Sequence, residues 1–496
     1  MTSRDCLRFI LGTEEKCLTG IEPTTTVLDY LRLDEHRTGT KEGCAEGDCG
    51  ACSVAVARPL PDGTLNWQAV NACIQPLGTL DGAQLVTVED LAAPDGTLHP
   101  VQQAMVDAHG SQCGFCTPGF VMSLFAMAKQ GVADMKDDQT IDEALAGNLC
   151  RCTGYAPIVR AAKALARTPF TDRFDDELAK THAALSAMAD GADVALTGPS
   201  GRRFFAPASA DALAALLLEY PQAVIVAGAT DVGLWLTKHL KQPETLIWLG
   251  RARDLATITE SERDITIGAG VTYAEALDRL SWIWPDMGSV IRRIGSTQIR
   301  NAGTIGGNVA NGSPIGDMPP MLIALGAKVR LRKGGARREL LLEDFFIAYG
   351  KQNRTAGEFV EAIIVPRPVP EQIFKAYKVS KRFDQDISAI MGAFSLHIQD
   401  GRVLSTRIAY GGMAGTPKRA RTAEALLTGQ LLEPRSIRNA MTGVAIDFQP
   451  LTDMRASSDY RMTVARNMLL RLAQEIGDAT VSTRLWDKRG IDLDDL

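Results

Sequence analysis

Cys44-Ala45-Glu46-Gly47-Asp48-Cys49-Gly50-Ala51-Cys52, answered by Cys73, is the stretch from which the rest of the chain can be read. Three thiols crowd one glycine-rich loop, and a fourth returns from a later segment. Thiolate is a soft ligand, suited to zinc or to an iron–sulfur cluster. The spacing separates the two. Cys-x4-Cys-x2-Cys with a distant fourth Cys is the plant-type [2Fe–2S] pattern, whereas structural zinc sites use two short Cys pairs. Gly43, Gly47 and Gly50 suit a backbone that closes around a cluster and aims N–H groups at its sulfurs. A disulfide-stapled loop or a zinc knuckle is the competing reading.

The flanks give the loop its setting. Leu7 to Leu11 reads as a strand, and Val27 to Arg32 as a helix capped by one of Thr24, Thr25 or Thr26. Ser53 to Ala57 is a strand leaving the loop, Pro61-Asp62-Gly63 is a hairpin turn, and Val70 to Cys73 brings back the last thiol. That order predicts a β-grasp, plant-type ferredoxin domain over residues 1–82. Cys6 and Cys17 lie outside the pattern and read as small core residues.

Residues 83–166 turn helical. Pro100 opens one helix. Cys113-Gly114-Phe115-Cys116 precedes Thr117-Pro118, a strong helix start, and the helix from Gly119 to Lys129 is apolar on most sides. A helix from Ile141 to Leu149 runs into Cys150-Arg151-Cys152, and another spans Pro157 to Leu165. Cys113, Cys116, Cys150 and Cys152 thus form a second four-thiol set at helix ends, where thiol pKa is lowered. Alone it could hold zinc; beside a plant-type ferredoxin it reads as a second [2Fe–2S] site.

Residues 167–198 read as a linker with one exposed helix between Asp176 and Met188. In residues 199–370 helices and β-runs alternate. Val224-Ile225-Val226-Ala227 is a strand running into Gly228-Ala229-Thr230-Asp231, where small residues let a phosphate approach backbone N–H groups. Gly268-Ala269-Gly270 begins like a dinucleotide fingerprint, but Tyr273 stands where the last glycine belongs, which argues against a Rossmann site. Thr304, Asn311, Ser313 and Asp317 surround Gly306-Gly307, either as a cradle for pyrophosphate and ribose or as an ordinary glycine-rich loop. Residues 371–496 form a further α+β domain. Its charged run from Ser380 to Asp386 reads as a solvated loop, and its tail, Arg484 to Leu496, as a segment that could pack on a partner.

Bulk numbers agree with a multidomain α+β protein. A chain of 496 residues is too long for one core. Its net charge of −6 argues against nucleic acid as a main partner. No signal peptide or membrane-length apolar run is evident, so the expected location is cytoplasmic. Ten cysteines in a reducing compartment point to metal or redox chemistry.

The paired cysteine sets, with Cys150-Arg151-Cys152-Thr153-Gly154-Tyr155, resemble the iron–sulfur portion of the molybdenum hydroxylases, a family that includes xanthine dehydrogenase. Ala227 to Asp231 and Thr304 to Asn308 resemble that family's two FAD-binding segments. The resemblance implies a four-helix [2Fe–2S] domain and FAD seated between two subdomains of the vanillyl-alcohol-oxidase type. It implies that Cys44, Cys49, Cys52 and Cys73 hold one cluster, and Cys113, Cys116, Cys150 and Cys152 the other. It also implies that Val224, Ile225, Val226, Ala227, Gly228, Ala229, Thr230, Asp231, Ile294, Thr304, Gly307, Asn311 and Asp317 contact FAD. Asn311 departs from the threonine of some members. Val360 would border the flavin, Lys378 would face it, and Ser380 to Asp386 would gate the electron acceptor. No acid–base catalyst is expected on this chain.

Within 496 residues no molybdopterin domain is expected. The chain is therefore most similar to the small subunit of two-chain bacterial members. The implied partner is a molybdopterin-binding large subunit, in a dimer of heterodimers. The implied activity is oxidation of hypoxanthine or xanthine, with electrons passing through both clusters to FAD and then to NAD+. An aldehyde- or N-heterocycle-oxidising relative, a free-standing NADH-dependent reductase and a zinc-binding scaffold are the alternatives.

Overall fold

A computed structural model describes residues 3–131, 137–167, 170–478 and 483. The first sheet follows the order Glu14–Leu18, Leu7–Leu11, Gln84–Val86, Ser53–Pro59, Leu65–Asn71. Leu7–Leu11 runs parallel to Gln84–Val86, and the other neighbours are antiparallel. The central strand Ser53–Pro59 serves two cores, because successive side chains point to opposite faces. Val54 and Val56 pack with Leu28, Leu31 and Ile74. Ala55 and Ala57 pack with Phe120, Val121 and Phe125. Alanine on that face lets the helix Thr117–Gly131 lie close to the sheet.

Four helices, Pro100–Asp107, Thr117–Gly131, Asp138–Leu145 and Ala156–Arg167, form the second unit. It shares its core with the first. Trp67 meets Phe125 edge to face at 5.3 Å, and Phe125 meets Phe174 at 5.4 Å. Such contacts add roughly 0.5–1.5 kcal/mol each beyond simple burial.

The third unit holds two sheets. One has the order Ser3–Arg4, Asp193–Thr197, Arg203–Ala206, Thr245–Trp248, Val224–Val226, and is mostly parallel. The other is antiparallel, in the order Ile258–Glu260, Asp264–Gly268, Phe359–Pro366, Lys328–Lys333, Ala336–Leu341. A final four-stranded sheet begins with Gln372–Val379 and Ile390–Gln399 and is covered by three helices, of which Ser458–Gly477 is the longest.

Several boundaries differ from the sequence reading. Ser3 and Arg4 pair with Asp193 and Val194, so the amino-terminal residues belong to a sheet of the third unit. Opposite charge fastens that crossing: Arg4 binds Asp81 at 2.6 Å and Asp190 at 3.2 Å, and Arg251 binds both carboxylates as well. The supposed linker is packed rather than loose. Asp193–Thr197 is a strand, and the helix Leu178–Met188 buries Thr181, Leu185 and Met188. Asp172 is the anchor, accepting from Lys129 Nζ at 2.6 Å and meeting His99 Nε2 at 2.8 Å. The helix before Cys150 stops at Leu145, because Gly147 must pass so close to Ser296 and Gln298 that no side chain fits. Cys6 is buried as expected, but Cys17 is exposed, on an edge strand. The tail from Arg484 lies outside the described residues.

Candidate cluster and flavin sites

The first cysteine loop is built on left-handed backbone. Gly47 and Gly50 have φ of 78° and 69°. A Cβ on Gly50 would stand 2.2 Å from Gly147 O, so only glycine lets the two cysteine loops meet there. The backbone N–H groups of Asp48 and Cys49 donate to Cys44 Sγ, both at 3.3 Å. Cys52 and Cys73 are buried; Cys44 and Cys49 are half-buried. Neighbouring Cys49 and Cys73 hold the Cys44 thiol far below its usual range, assisted by the backbone donors and opposed by burial. The same contacts, with burial, push Cys49 and Cys73 up. Four sulfurs crowded this way strongly favour thiolate wherever cations are placed among them.

The second set is more open. Cys113 and Cys152 are exposed; Cys116 and Cys150 are half-buried. Cys116 pairs with Cys150, and Cys113 with Cys152. Burial, then the Cys150 contact, pushes Cys116 to about 12. Burial would raise Cys150 too, but its net shift is downward, because Thr153 reaches its sulfur with the hydroxyl at 3.2 Å and the amide at 3.4 Å. Exposed Phe115, Leu149 and Tyr155 rim this set.

All ten cysteines are free thiols, which removes the disulfide reading. Among the described residues no three acidic, histidine or cysteine side chains close on a single point as one metal ion requires. The donors are four thiols, served in the first set by backbone N–H groups. That donor set fits a two-iron cluster. The two loops touch directly: Leu149 N, beside Cys150, donates to Cys49 O at 2.9 Å.

Between the two sheets of the third unit lies a cleft of about 770 Å³. Val224, Ile225, Ala227 through Asp231, Thr304, Gly307, Asn311 and Val360 line it. Thr304 caps the short helix Ile305–Asn311, its Oγ1 accepting from Gly307 N at 2.8 Å. Asn311 Nδ2 reaches Asp231 Oδ1 at 3.2 Å and so joins the two lining segments. A Cβ on Gly228 would stand 1.8 Å from Ala302 O, which explains the glycine. Asn308 Oδ1 is buried in the cleft wall without a partner, as a site awaiting a donor from a bound group would be. Size, glycine walls and this orphan acceptor fit a dinucleotide such as FAD.

Four residues expected to contact FAD lie outside the cleft lining. Val226 is buried beneath the cleft. Ile294 packs on the core of the second sheet. Asp317 and Lys378 form a buried ion pair at 2.6 Å, with Ser388 Oγ donating to Asp317 at 2.5 Å. None of these four is among the cleft-lining residues. Ser380 to Asp386 is not simply solvated, since Arg293 clamps it. Its guanidinium donates to Lys378 O, Phe383 O and Ser380 Oγ, each at 3.1 Å, and lies over the Phe383 ring. Arg293 and Gln75 escaped sequence reasoning because neither lies in a motif. Gln75 stands two residues after Cys73, and its Nε2 donates to Gly228 O at 3.0 Å, joining a cysteine strand to the cleft loop.

Two four-thiol sites beside a dinucleotide cleft define an iron–sulfur flavoprotein. Residues 87–163 match the family described as a [2Fe–2S] binding domain, residues 188–368 the FAD binding domain in molybdopterin dehydrogenase, and residues 375–476 the CO dehydrogenase flavoprotein C-terminal domain. The chain is 30% identical to xanthine dehydrogenase 1 of Arabidopsis thaliana, over 89% of this chain and 37% of that protein. It is 31% identical to xanthine dehydrogenase of Drosophila pseudoobscura pseudoobscura, over 86% of this chain and 36% of that protein. It thus spans little more than a third of these relatives' length. Carbon monoxide dehydrogenase from Oligotropha carboxidovorans superposes with a TM-score of 0.51 at 29% identity, over 54% of this chain and 94% of that one. Quinoline 2-oxidoreductase from Pseudomonas putida 86 gives 0.51 at 25% identity, over the same shares. The chain belongs to the molybdenum hydroxylase family and carries that family's iron–sulfur and FAD domains.

Proposed function

We propose that this chain is the electron-transfer component of a xanthine dehydrogenase-type oxidoreductase, acting with a molybdopterin-binding partner subunit and delivering electrons to NAD+. Cys44, Cys49, Cys52 and Cys73 hold one [2Fe–2S] cluster, and Cys113, Cys116, Cys150 and Cys152 the other. The cleft lined by Ala227 to Asp231, Thr304, Gly307 and Asn311 holds FAD. When bound, the clusters supply one-electron relay and FAD the conversion between single electrons and hydride.

The observation that carries this reading is continuity. The Leu149–Cys49 bond joins the two cysteine loops, and the Gln75–Gly228 bond joins the inner loop to the flavin cleft. Within that frame the chain's own residues have distinct tasks. The amides of Asp48 and Cys49 stabilise the Cys44 thiolate. Thr304 orients the start of the helix that faces the cleft. Arg293 holds the Ser380 to Asp386 loop, the expected gate for the acceptor.

A separate molybdopterin chain in a dimer of heterodimers is proposed with it; in carbon monoxide dehydrogenase the matched unit, covered over 94% of its length, stands as a chain of its own. Hypoxanthine and xanthine are the proposed substrates. The match to quinoline 2-oxidoreductase favours an N-heterocycle as the second reading. Among the described residues no helix is long and apolar enough to cross a membrane; a cytoplasmic location is proposed with the rest. In the complex with its partner, xanthine should drive NADH formation, and Cys113→Ser should abolish it while FAD stays bound. Unchanged turnover in that variant contradicts the proposal.

A further inference from the structure

The three units meet at one buried amide. Gln298 lies on the helix Thr297–Ala302 of the flavin unit, just before the Thr304 loop, and is 1% exposed. Its Nε2 lies 3.1 Å from Ser53 Oγ, 3.2 Å from Ser123 Oγ and 3.0 Å from Asn148 Oδ1. Ser53 directly follows Cys52. Ser123 sits on the helix that starts beside Cys116. Asn148 stands two residues before Cys150. The partners are also bonded to their neighbours: Ser123 Oγ donates to Asn148 Oδ1 at 2.7 Å, and Asn148 Nδ2 and Ser53 Oγ both donate to Gly50 O, at 3.1 and 2.8 Å. Gly147 is tailored to it, since a Cβ there would stand 2.0 Å from Gln298 Oε1. On the same helix, Asn301 Nδ2 donates to Ala69 O at 2.9 Å and fixes the helix to the ferredoxin sheet.

We infer that Gln298 is a positioning residue for electron transfer, holding the flavin unit in register with both cysteine loops at once. The physical case rests on cost and geometry. Gln298 Oε1 is buried without a partner, so the amide depends on its Nε2 side: those donors are satisfied only while the buried acceptors stand where they do, and the node favours one arrangement of the three units over others. Apolar packing alone would permit small slides between them, because non-directional contacts have no register. A shift of an ångström between redox sites is enough to matter for rate, whereas it matters little for whether each unit folds. Ser53 belongs to the ferredoxin unit, Ser123 and Asn148 to the helical unit and Gln298 to the flavin unit, and none of them is a cysteine ligand. This inference rests on the functional reading above.

The test uses the intact full-length chain carrying its iron, sulfide and flavin. Gln298→Leu removes the donors at nearly constant volume; Ser123→Ala removes one acceptor and is the milder cut. Both should retain wild-type iron and flavin. In both, the low-temperature magnetic splitting between the two reduced iron centres should change. Equilibration of electrons between iron and flavin after a pulse of reductant should slow, by about ten-fold in Q298L and less in S123A. Unchanged splitting and unchanged equilibration in either fully loaded variant overturn the inference, even if its unfolding midpoint falls. Should Q298L fail to accumulate, S123A alone decides by the same criterion. A wild-type chain without iron or flavin overturns the functional reading itself, a result seen before any variant is made.

Discussion

The two cysteine sets use the same ligand type in opposite surroundings. Cys52 and Cys73 are buried, inside a loop pressed between the ferredoxin sheet and the flavin unit. Cys113 and Cys152 are exposed, on a face rimmed by Phe115, Leu149 and Tyr155. The inner set is committed to its neighbours: Gln75 reaches the cleft loop at 3.0 Å, and Thr237 Oγ1 on the flavin side reaches Ala45 O at 2.7 Å. The outer set is half surrounded, with Cys113 and Cys152 exposed. The contrast gives the chain a direction. In the proposed route, electrons enter at the open set and leave through the committed one.

Breaking the ligands breaks the comparison most severely. Cys73→Ser and Cys113→Ser should each leave roughly half the iron, about two atoms per chain. Only Cys73→Ser should also lower the unfolding midpoint, because it empties a buried site; iron analysis with calorimetry checks both. Equal midpoints would show that burial does not distinguish the sets. Next in size is Gly50→Ala. It forces alanine to a positive φ and drives a methyl into Gly147 O, costing about 3 kcal/mol by denaturant titration.

A comparable loss, about 3 kcal/mol, is expected for Asp172→Ala, which strands Lys129 and His99 beside an empty site. This site also titrates. Burial raises the Asp172 carboxyl, but His99 and Lys129 more than offset that and hold it at about 2. A depressed carboxylate stabilises the fold above its unfolded value, near 3.9, and the contribution is lost as pH falls from about 4 through about 2. Acid unfolding followed by fluorescence should show the loss in that window for wild type and not for Asp172→Ala. Smallest is Phe115→Ser. On the open face it should change stability by less than about 0.5 kcal/mol while weakening association with the proposed molybdopterin partner. A large loss of stability would mean that the rim is structural.

Much of this arrangement could be read from the sequence because its signals are local. Cysteine spacing and the Thr117-Pro118 helix start, where the helix Thr117–Gly131 begins, both depend on neighbours in the chain. The parts that escaped depend on distant partners. Asp172 in a polar stretch has no periodic signal, yet it anchors a segment that composition marks as a linker. Ser3 and Arg4 are too short a run to announce a strand, and they pair with one nearly two hundred residues away. Asp317 and Lys378 carry opposite charges 61 residues apart, and nothing in spacing says they will be buried together. Ile294 and Val226, expected at the flavin from resemblance, pack on the neighbouring cores.

The central claim is that this chain holds two separate two-iron centres beside one flavin. Elemental and cofactor analysis of the anaerobically purified chain tests it most directly. The account predicts about four iron atoms, about four acid-labile sulfides and about one FAD per chain. Zinc in their place, with neither labile sulfide nor flavin, would contradict it.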